Sequence, residues 1–172
     1  MFALIYGLVG LVALAVLGGI IIYNGLVLKS QMAKNGWSDI DVQLKRRADL
    51  IPQLVETVKG YAAHETTLFA DITEKRARAI AAGDDLTARG AAESALSHPV
   101  TRLMAVAEDY PDLKASQNFL ELQNEMSETE SKIEMARRFY NGAVRELNTA
   151  VQSFPVNLLA VPLGFAMRGF LS

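Results

Sequence analysis

Residues 119–154 read FLELQNEMSETESKIEMARRFYNGAVRELNTAVQSF, and this stretch carries the strongest periodic signal in the chain. Its core-forming positions recur at every third or fourth residue, the spacing of one face of an α-helix. They are Phe119, Leu122, Met126, Thr129, Ile133, Ala136, Tyr140, Val144, Leu147, Val151 and Phe154. The opposite face is charged, as expected for a surface in contact with water. The stretch therefore predicts one long helix, bounded by Pro111 and Pro155.

A helix with an apolar stripe is also predicted nearer the N-terminus, where it could continue directly from the charge-free first 28 residues. Its stripe is Trp37, Ile40, Leu44, Ile51, Leu54, Val58 and Tyr61. Pro52 should kink this helix or break it, because a proline removes one helical hydrogen bond and crowds the preceding turn.

Two helices are predicted between these long ones. The first should run from about Glu65 to Ala82, with Leu68, Ile72 and Ile80 facing inward and Gly83 ending it. The second should cover about residues 85–108, with Ser97 able to cap a restart before Pro99. Its stripe is Leu96, Val100, Leu103 and Ala107.

The fold class follows from these four periodic segments. Strict alternation is absent from the sequence, so a sheet is not expected. Amphipathic helices joined by short turns favour an antiparallel four-helix bundle with coiled-coil-like packing. We predict an all-α chain with a membrane helix at residues 1–28, a bundle at 29–155 and an apolar tail at 156–172.

The predicted membrane helix has no charged side chain from Met1 to Leu28. A helix of that length exceeds a hydrocarbon core of about 30 Å. A cleaved signal peptide is the alternative, but the start has no Lys or Arg, and a small-x-small cleavage site does not follow. Lysines and arginines from Lys29 onward predict that the bundle faces the cytoplasm of a single-pass inner-membrane protein, with the N-terminus outside.

Two sets of residues are candidates for interaction. The small residues Ala3, Gly7, Ala15 and Gly19 lie on roughly one face of the membrane helix, where they would allow a second helix to approach closely. The charged collar, just beyond the membrane helix, consists of Asp39, Asp41, Lys45, Arg46, Arg47 and Asp49. The collar is either a surface ion network or a docking surface for anionic headgroups or a protein partner.

The tail is apolar, with Arg168 as the only charged residue after Glu146. It is too short and too interrupted by Pro162 to cross a membrane. It should pack on the bundle, on a neighbouring subunit or on the membrane, and packing within the assembly is favoured.

Catalytic chemistry is not indicated. His64 and Glu65 lack the second histidine of a zinc-protease helix, and His98 has no ligand partner at a useful spacing. The chain has no cysteine and a formal net charge of −2, so it offers no thiolate site and no broadly basic surface. We therefore expect no enzyme, no metal, no cofactor and no nucleic-acid partner.

The sequence resembles the LemA family of bacterial membrane proteins. The resemblance is carried by residues 23–27 (YNGLV), 37–47 (WSDIDVQLKRR), 49–52 (DLIP) and 54–62 (LVETVKGYA), and in the second half by Ala107-Glu108, residues 110–115 (YPDLKA), Asn118-Phe119, Leu122-Gln123, Thr129-Glu130, Ala136-Arg137, Tyr140-Asn141, Phe154-Pro155 and Asn157. Ala48, Gln53 and Pro99 depart from the family's usual residues. The resemblance implies a membrane-anchored helical bundle and no catalytic residues, and the family's association with membrane stress and proteolysis implies a scaffold or adaptor.

These observations predict a non-enzymatic, membrane-anchored scaffold that self-assembles into a homo-oligomer. The alternative is an adaptor that presents its bundle to a membrane protease or a signalling partner. Membrane lipid is a partner in either case.

Overall fold

The computed structural model describes residues 2–171; Met1 and Ser172, at the ends of the predicted membrane helix and tail, lie outside the described residues. The described chain contains helices and no strand, which confirms the all-α class. The helices are α1 (Phe2–Lys59), α2 (Thr66–Ala81), α3 (Leu86–Glu108), α4 (Pro111–Lys114), α5 (Gln117–Gln152) and α6 (Asn157–Ala160). Their arrangement as an antiparallel four-helix bundle stays a prediction.

The chain divides into two compact units. The anchor unit contains residues 2–37 and 139–170, and the core unit contains residues 38–138 with Leu171. The helices α1 and α5 each contribute to both units.

The core unit has one apolar centre, to which its parts of α1, α2, α3, α4 and α5 contribute. Its buried members include Ile51, Leu54, Val58, Leu68, Phe69, Ile72, Ala79, Leu96, Leu103, Ala107, Leu113, Phe119, Leu122 and Met126. Burying each large aliphatic or aromatic side chain stabilises the fold by about 1.5–3 kcal/mol. The stripes predicted from periodicity are therefore the main source of stability in this unit.

The anchor unit joins the start of α1 to the end of α5 and to the tail. Leu26 packs with Leu147, Val151 and Ala160 in a small buried cluster. Within residues 2–171, α1 is the one helix long and apolar enough to cross a membrane, with a mean hydropathy of 2.6 in its most apolar window and none of that window buried.

A glycine allows α1 and α5 to approach closely in the anchor unit. A Cβ added at Gly36 would lie 3.0 Å from the Cα of Tyr140 and 3.0 Å from a ring carbon of Phe139. One residue further on, the ring of Trp37 lies 5.9 Å from that of Tyr140. Tyr140 is fully buried, and burial raises the pKa of its hydroxyl, an effect that the positive charge of Arg168 partly opposes.

Neither Pro52 nor Pro99 ends a helix, so the predicted breaks are wrong, whereas a kink at Pro52 stays a prediction. The helix α1 passes through Pro52 without a break, because buried neighbours such as Ile51 and Leu54 stabilise the helical backbone on both sides. The helix α3 likewise passes through Pro99. Ser97 does not cap a new start there; its hydroxyl donates to the backbone carbonyl of Glu93 (3.0 Å).

Three side chains predicted to face inward are exposed. Ile80 is exposed, and Ala79 is buried instead. Viewed down the helix axis, Ala79 lies only about 20° around the helix from the buried Ile72, because seven residues make nearly two turns. Ile80, one residue further on, lies about 80° from Ile72. Tyr61 and Phe154 lie beyond the last residues of α1 and α5, so the helical period no longer directs them inward.

Candidate functional site

The charged collar lies on α1 in the core unit, and most of it faces outward. Asp39, Lys45, Arg46 and Asp49 are exposed, whereas Asp41 is half-buried. Lys45 pairs with Asp41 one turn earlier, with Nζ 2.6 Å from a carboxylate oxygen. Exposed pairs at this spacing contribute only a few tenths of a kcal/mol, about 0.3–0.5.

Arg46 and Asp49 form ion pairs with neighbouring helices of the core unit. Arg46 lies 3.5 Å from a carboxylate oxygen of Glu125 on α5, and Asp49 lies 3.8 Å from Arg76 on α2. A hydrogen bond from Lys132 (2.6 Å), together with its charge, lowers the pKa of Glu128, and the charge of Arg46 adds to that effect. Lys45, Arg46 and Asp49 therefore each have an ion-pair partner within the core unit, and docking at the collar stays a prediction.

Arg47 differs from the rest of the collar because it is only 5% exposed. Its guanidinium pairs with the carboxylate of Glu93 on α3 and, at 2.8 Å, with that of Glu130 on α5. Glu93 is 7% exposed. Moving a charge from water into the protein interior costs free energy unless the charge is paired and hydrogen-bonded. Arg47 therefore needs these contacts to lie in the interior.

Arg89 extends the buried cluster along α3. Its Nε lies 3.1 Å from Glu93, one guanidinium nitrogen lies 3.3 Å from Asp41, and another donates to the carbonyl of Gly83 (3.1 Å). We call Arg47, Arg89, Glu93, Asp41 and Glu130 the buried ion network. It joins three segments of the core unit that are far apart in sequence.

The buried ion network is suited to holding helices together and not to moving protons. Arginine stays protonated at physiological pH and has no lone pair to accept a proton. Within residues 2–171, no group of three His, Asp or Glu side chains is placed to hold a metal ion.

A groove of about 550 Å³ borders the network on the outer face of α3. It is lined by Arg47, Glu93 and Arg137, and by the small or hydroxylated residues Thr87, Gly90, Ala91, Ser94 and Ser97. The Nε atoms of Arg47 and Arg137 are buried and have no hydrogen-bond partner within the described part of the chain. Arg137, which forms no ion pair within residues 2–171, gives the groove a cationic side chain that suits a carboxylate or another anion.

The small residues predicted as a membrane packing face lie on an unobstructed part of α1. Ala3, Gly7 and Ala15 are exposed and Gly19 is half-buried. A Cβ added at Gly7 or Gly19 would meet no other atom within 4 Å. The face is therefore available to lipid or to another helix.

Sequence reasoning missed Arg89, Glu93, Glu130 and Arg137. A signal for two of them exists, since the apolar stripe of α3 at Leu96 continues backward by three and four residues to Glu93 and Arg89. Charged residues on the buried face of a helix must find partners of opposite charge. The position of Glu93 on the buried face of α3 therefore indicates that it needs a cationic partner such as Arg47.

Comparisons with known proteins agree with the resemblance noted in the sequence. A family model described as the LemA family matches residues 36–172. The chain is 26% identical to the magnetosome protein MamQ 2 of Paramagnetospirillum magneticum, in an alignment covering 83% of this chain and 62% of that protein. It is 28% identical to the protein LemA of Metamycoplasma hominis, covering 81% of this chain and 64% of that protein. The chain thus spans less than two thirds of the length of these relatives.

Proposed function

The chain belongs to the LemA family, and from that premise we propose that it is a non-enzymatic scaffold, anchored in the membrane, that self-assembles into a homo-oligomer. The observation that carries this proposal is the exposed N-terminal part of α1. Its most apolar window is wholly unburied by the rest of the chain. Such a surface is stable only against lipid or against another apolar helix.

Membrane anchoring is supported by the length and composition of α1. Residues 2–28 form a helix of about 40 Å, close to the thickness of a whole bilayer with its headgroups. Lys29 and Lys34 follow directly, and cations favour the cytoplasmic side. We propose a single-pass inner-membrane protein with its N-terminus outside and the remainder in the cytoplasm.

Self-assembly is supported by the small-residue face of α1. Ala3, Gly7, Ala15 and Gly19 offer little side-chain bulk, so the backbones of two such helices could approach and gain van der Waals contact in lipid. Outside the membrane, we propose that α1, α2, α3 and α5 form the antiparallel four-helix bundle predicted from the sequence. Their shared apolar centre in the core unit supports that arrangement.

A non-enzymatic role is supported by the chemistry of the buried ion network and by the names of the relatives. Arg47 and Arg89 are each paired with the carboxylate of Glu93, an arrangement that holds helices together. The printed names of the relatives, LemA and magnetosome proteins, denote no enzyme.

Disulfide crosslinking tests self-assembly directly, because the natural chain has no cysteine. A Gly7→Cys variant in native membranes should form a covalent dimer under mild oxidation. Val9→Cys is the matched control, since it lies about 200° around the same helix at nearly the same depth. Equal dimer yields from the two variants would mean that collisions, and not a specific face, produce the crosslink. Absence of any dimer from Gly7→Cys would contradict self-assembly through this face.

An adaptor is the second candidate, and the groove beside Arg47 favours it. Arg137 forms no ion pair within residues 2–171, and its buried Nε is left without an acceptor. An acidic segment of a membrane protease or a signalling protein could pair with the guanidinium of Arg137 in the groove. Arg137→Glu should then abolish capture of the partner, whereas Arg138→Glu, a change of equal charge on an exposed neighbour, should preserve it. Equal capture by both variants would remove the groove from consideration.

A further inference from the structure

The anchor unit contains a second charge-free segment besides the start of α1. Between Glu146 and Arg168 the chain has no charged side chain. The segment includes the last turns of α5, the short helix α6 and the apolar turns that follow it. Charge-free stretches of this length are unusual on a surface that faces water.

An ion pair places the two charge-free segments at the same level. Lys29, the first charged residue of α1, lies 3.0 Å from Glu146, the last charged residue of α5. On α1 the charge-free segment precedes Lys29, and on α5 it follows Glu146. Both segments therefore begin at one boundary, which this ion pair marks.

Beyond that boundary the tail packs against the part of α1 predicted to lie in the membrane. Leu26 is buried with Val151 of α5 and Ala160 of α6, and Ile22 packs against the same cluster. The ring of Phe165 meets that of Tyr23 edge to face, with centroids 5.8 Å apart. The tail thus lies beside residues 22–26 of the membrane helix.

The chain then returns to the boundary, where hydrogen bonds hold it. The side chain of Asn148 donates to the carbonyl of Arg168 (3.0 Å), and the N–H of Arg168 donates to Asn148 Oδ1 (2.9 Å). The hydroxyl of Tyr140 donates to the carbonyl of Gly169 (3.0 Å). Residues 149–167 therefore form a loop that leaves the level of Glu146 and comes back to it.

The outward side of this loop is apolar. Phe154 is 79% exposed and Val161 is 74% exposed, and Leu158 and Met167 are exposed as well. A group of exposed side chains of this size marks a surface that contacts lipid or another protein. Other residues of the same loop, Ala160 and Phe165, pack against the membrane helix.

We propose that residues 149–167 dip into the same bilayer that α1 crosses and form a second, non-spanning contact with lipid. The proposal rests on the membrane anchoring in the proposed function. Ile22 precedes Lys29 by seven residues, which corresponds to about 10 Å along the helix. Elements that lie in the interface are buried to a similar depth, about 5–10 Å into the boundary between headgroups and acyl chains.

Lipid fits this surface better than a second copy of the chain. The loop is fixed to α1 at the depth where α1 is itself surrounded by lipid. Tyr23, packed against the loop, is the type of residue that favours the membrane–water interface.

The test uses the full chain in vesicles of phosphatidylcholine with phosphatidylglycerol. Single cysteines at Leu158 or Val161 are labelled with an environment-sensitive dye. Iodide then probes contact with water, and lipids with a doxyl group near the headgroup end of the acyl chain probe contact with the bilayer. Leu14→Cys is the membrane control, and Gly142→Cys, exposed on the other side of Glu146, is the water control.

The proposal predicts that both loop positions are quenched several-fold more by doxyl lipid and several-fold less by iodide than Gly142. Quenching by iodide equal to that at Gly142 would overturn it. Protection from both quenchers would also overturn it, because protein would then cover the loop. If Leu14 is also open to iodide, the membrane anchoring itself is wrong; if only the loop is open, the anchor stands and this inference alone is lost.

Discussion

Replacing Glu93 with alanine would remove the carboxylate that two buried arginines share. Glu93 is 7% exposed, Arg47 is 5% exposed and Arg89 is 6% exposed. Breaking a buried pair by removing one partner costs about 3–5 kcal/mol, because a charge stays in the interior without its counter-ion. Arg47 keeps Glu130 and Arg89 keeps Asp41, so we expect the lower end, about 3 kcal/mol.

The measurement is a urea titration of the full chain in detergent micelles, followed by far-ultraviolet circular dichroism. A loss of about 3 kcal/mol lowers the midpoint by about 1–3 M, given the usual urea dependence of a small domain. The matched control is Glu134→Ala, which breaks an exposed pair with Arg138 on α5. That variant should lose about 0.3–0.5 kcal/mol.

A double variant separates charge burial from packing. Arg47→Met with Glu93→Leu removes one buried charge of each sign and keeps most of the side-chain volume. Arg89 still loses Glu93 and keeps only Asp41 as an ion-pair partner, so the double variant should be more stable than Glu93→Ala but less stable than the natural chain. If Glu93→Ala loses no more stability than Glu134→Ala, the network is not buried in the manner described here and the reasoning is refuted.

The remaining predictions concern single positions. Gly36→Ala should destabilise the chain by about 1–2 kcal/mol, because its Cβ meets α5 at 3.0 Å. Gly142→Ala, where a Cβ meets nothing within 4 Å, should instead stabilise it by about 0.5–1 kcal/mol in the same denaturation assay. Asp85→Ala removes the cap whose side chain accepts from a backbone N–H at 2.9 Å, and should lower the free energy of unfolding by about 1 kcal/mol. Burial raises the pKa of Tyr140 above its usual 10.0, so the folded chain should lose stability as the pH rises past that value. The fluorescence of Trp37, the only tryptophan, should report the loss of folded structure as the pH rises. In a Tyr140→Phe variant, the part of this pH dependence that comes from Tyr140 should be absent.

The interior of the long helices could be predicted from the sequence because the helical period acts locally. Along α5, for example, Phe119, Met126, Ile133 and Val144 are buried as their spacing indicates. The prediction failed at helix ends, where Tyr61 and Phe154 follow the period but lie outside the helix. The pattern gives a phase but not the residue at which a helix stops.

The buried ion network could be predicted only in part. The sequence indicates only that Arg47 belongs to a charged cluster with Asp41 and Lys45, since these residues are close together along the chain. Its burial depends on Glu93 and Glu130, which are 46 and 83 residues away. Contacts over such distances are set by tertiary packing, so local spacing places Glu93 on the buried face of α3 but does not indicate which residue it pairs with.

The tail shows the same limit. The apolar composition of the tail predicts that its surface is covered, but does not decide between the bundle, a neighbouring subunit and the membrane. The contact between Tyr23 and Phe165 places it beside the membrane helix, a juxtaposition that composition alone does not contain.

We propose that this member of the LemA family acts as a membrane-anchored homo-oligomer. The most direct test is the mass of single particles extracted from native membranes into lipid nanodiscs, without detergent, at several expression levels. We expect particles that contain several copies of the chain at every expression level. Particles that hold one copy throughout, alone or with a different protein, would contradict it.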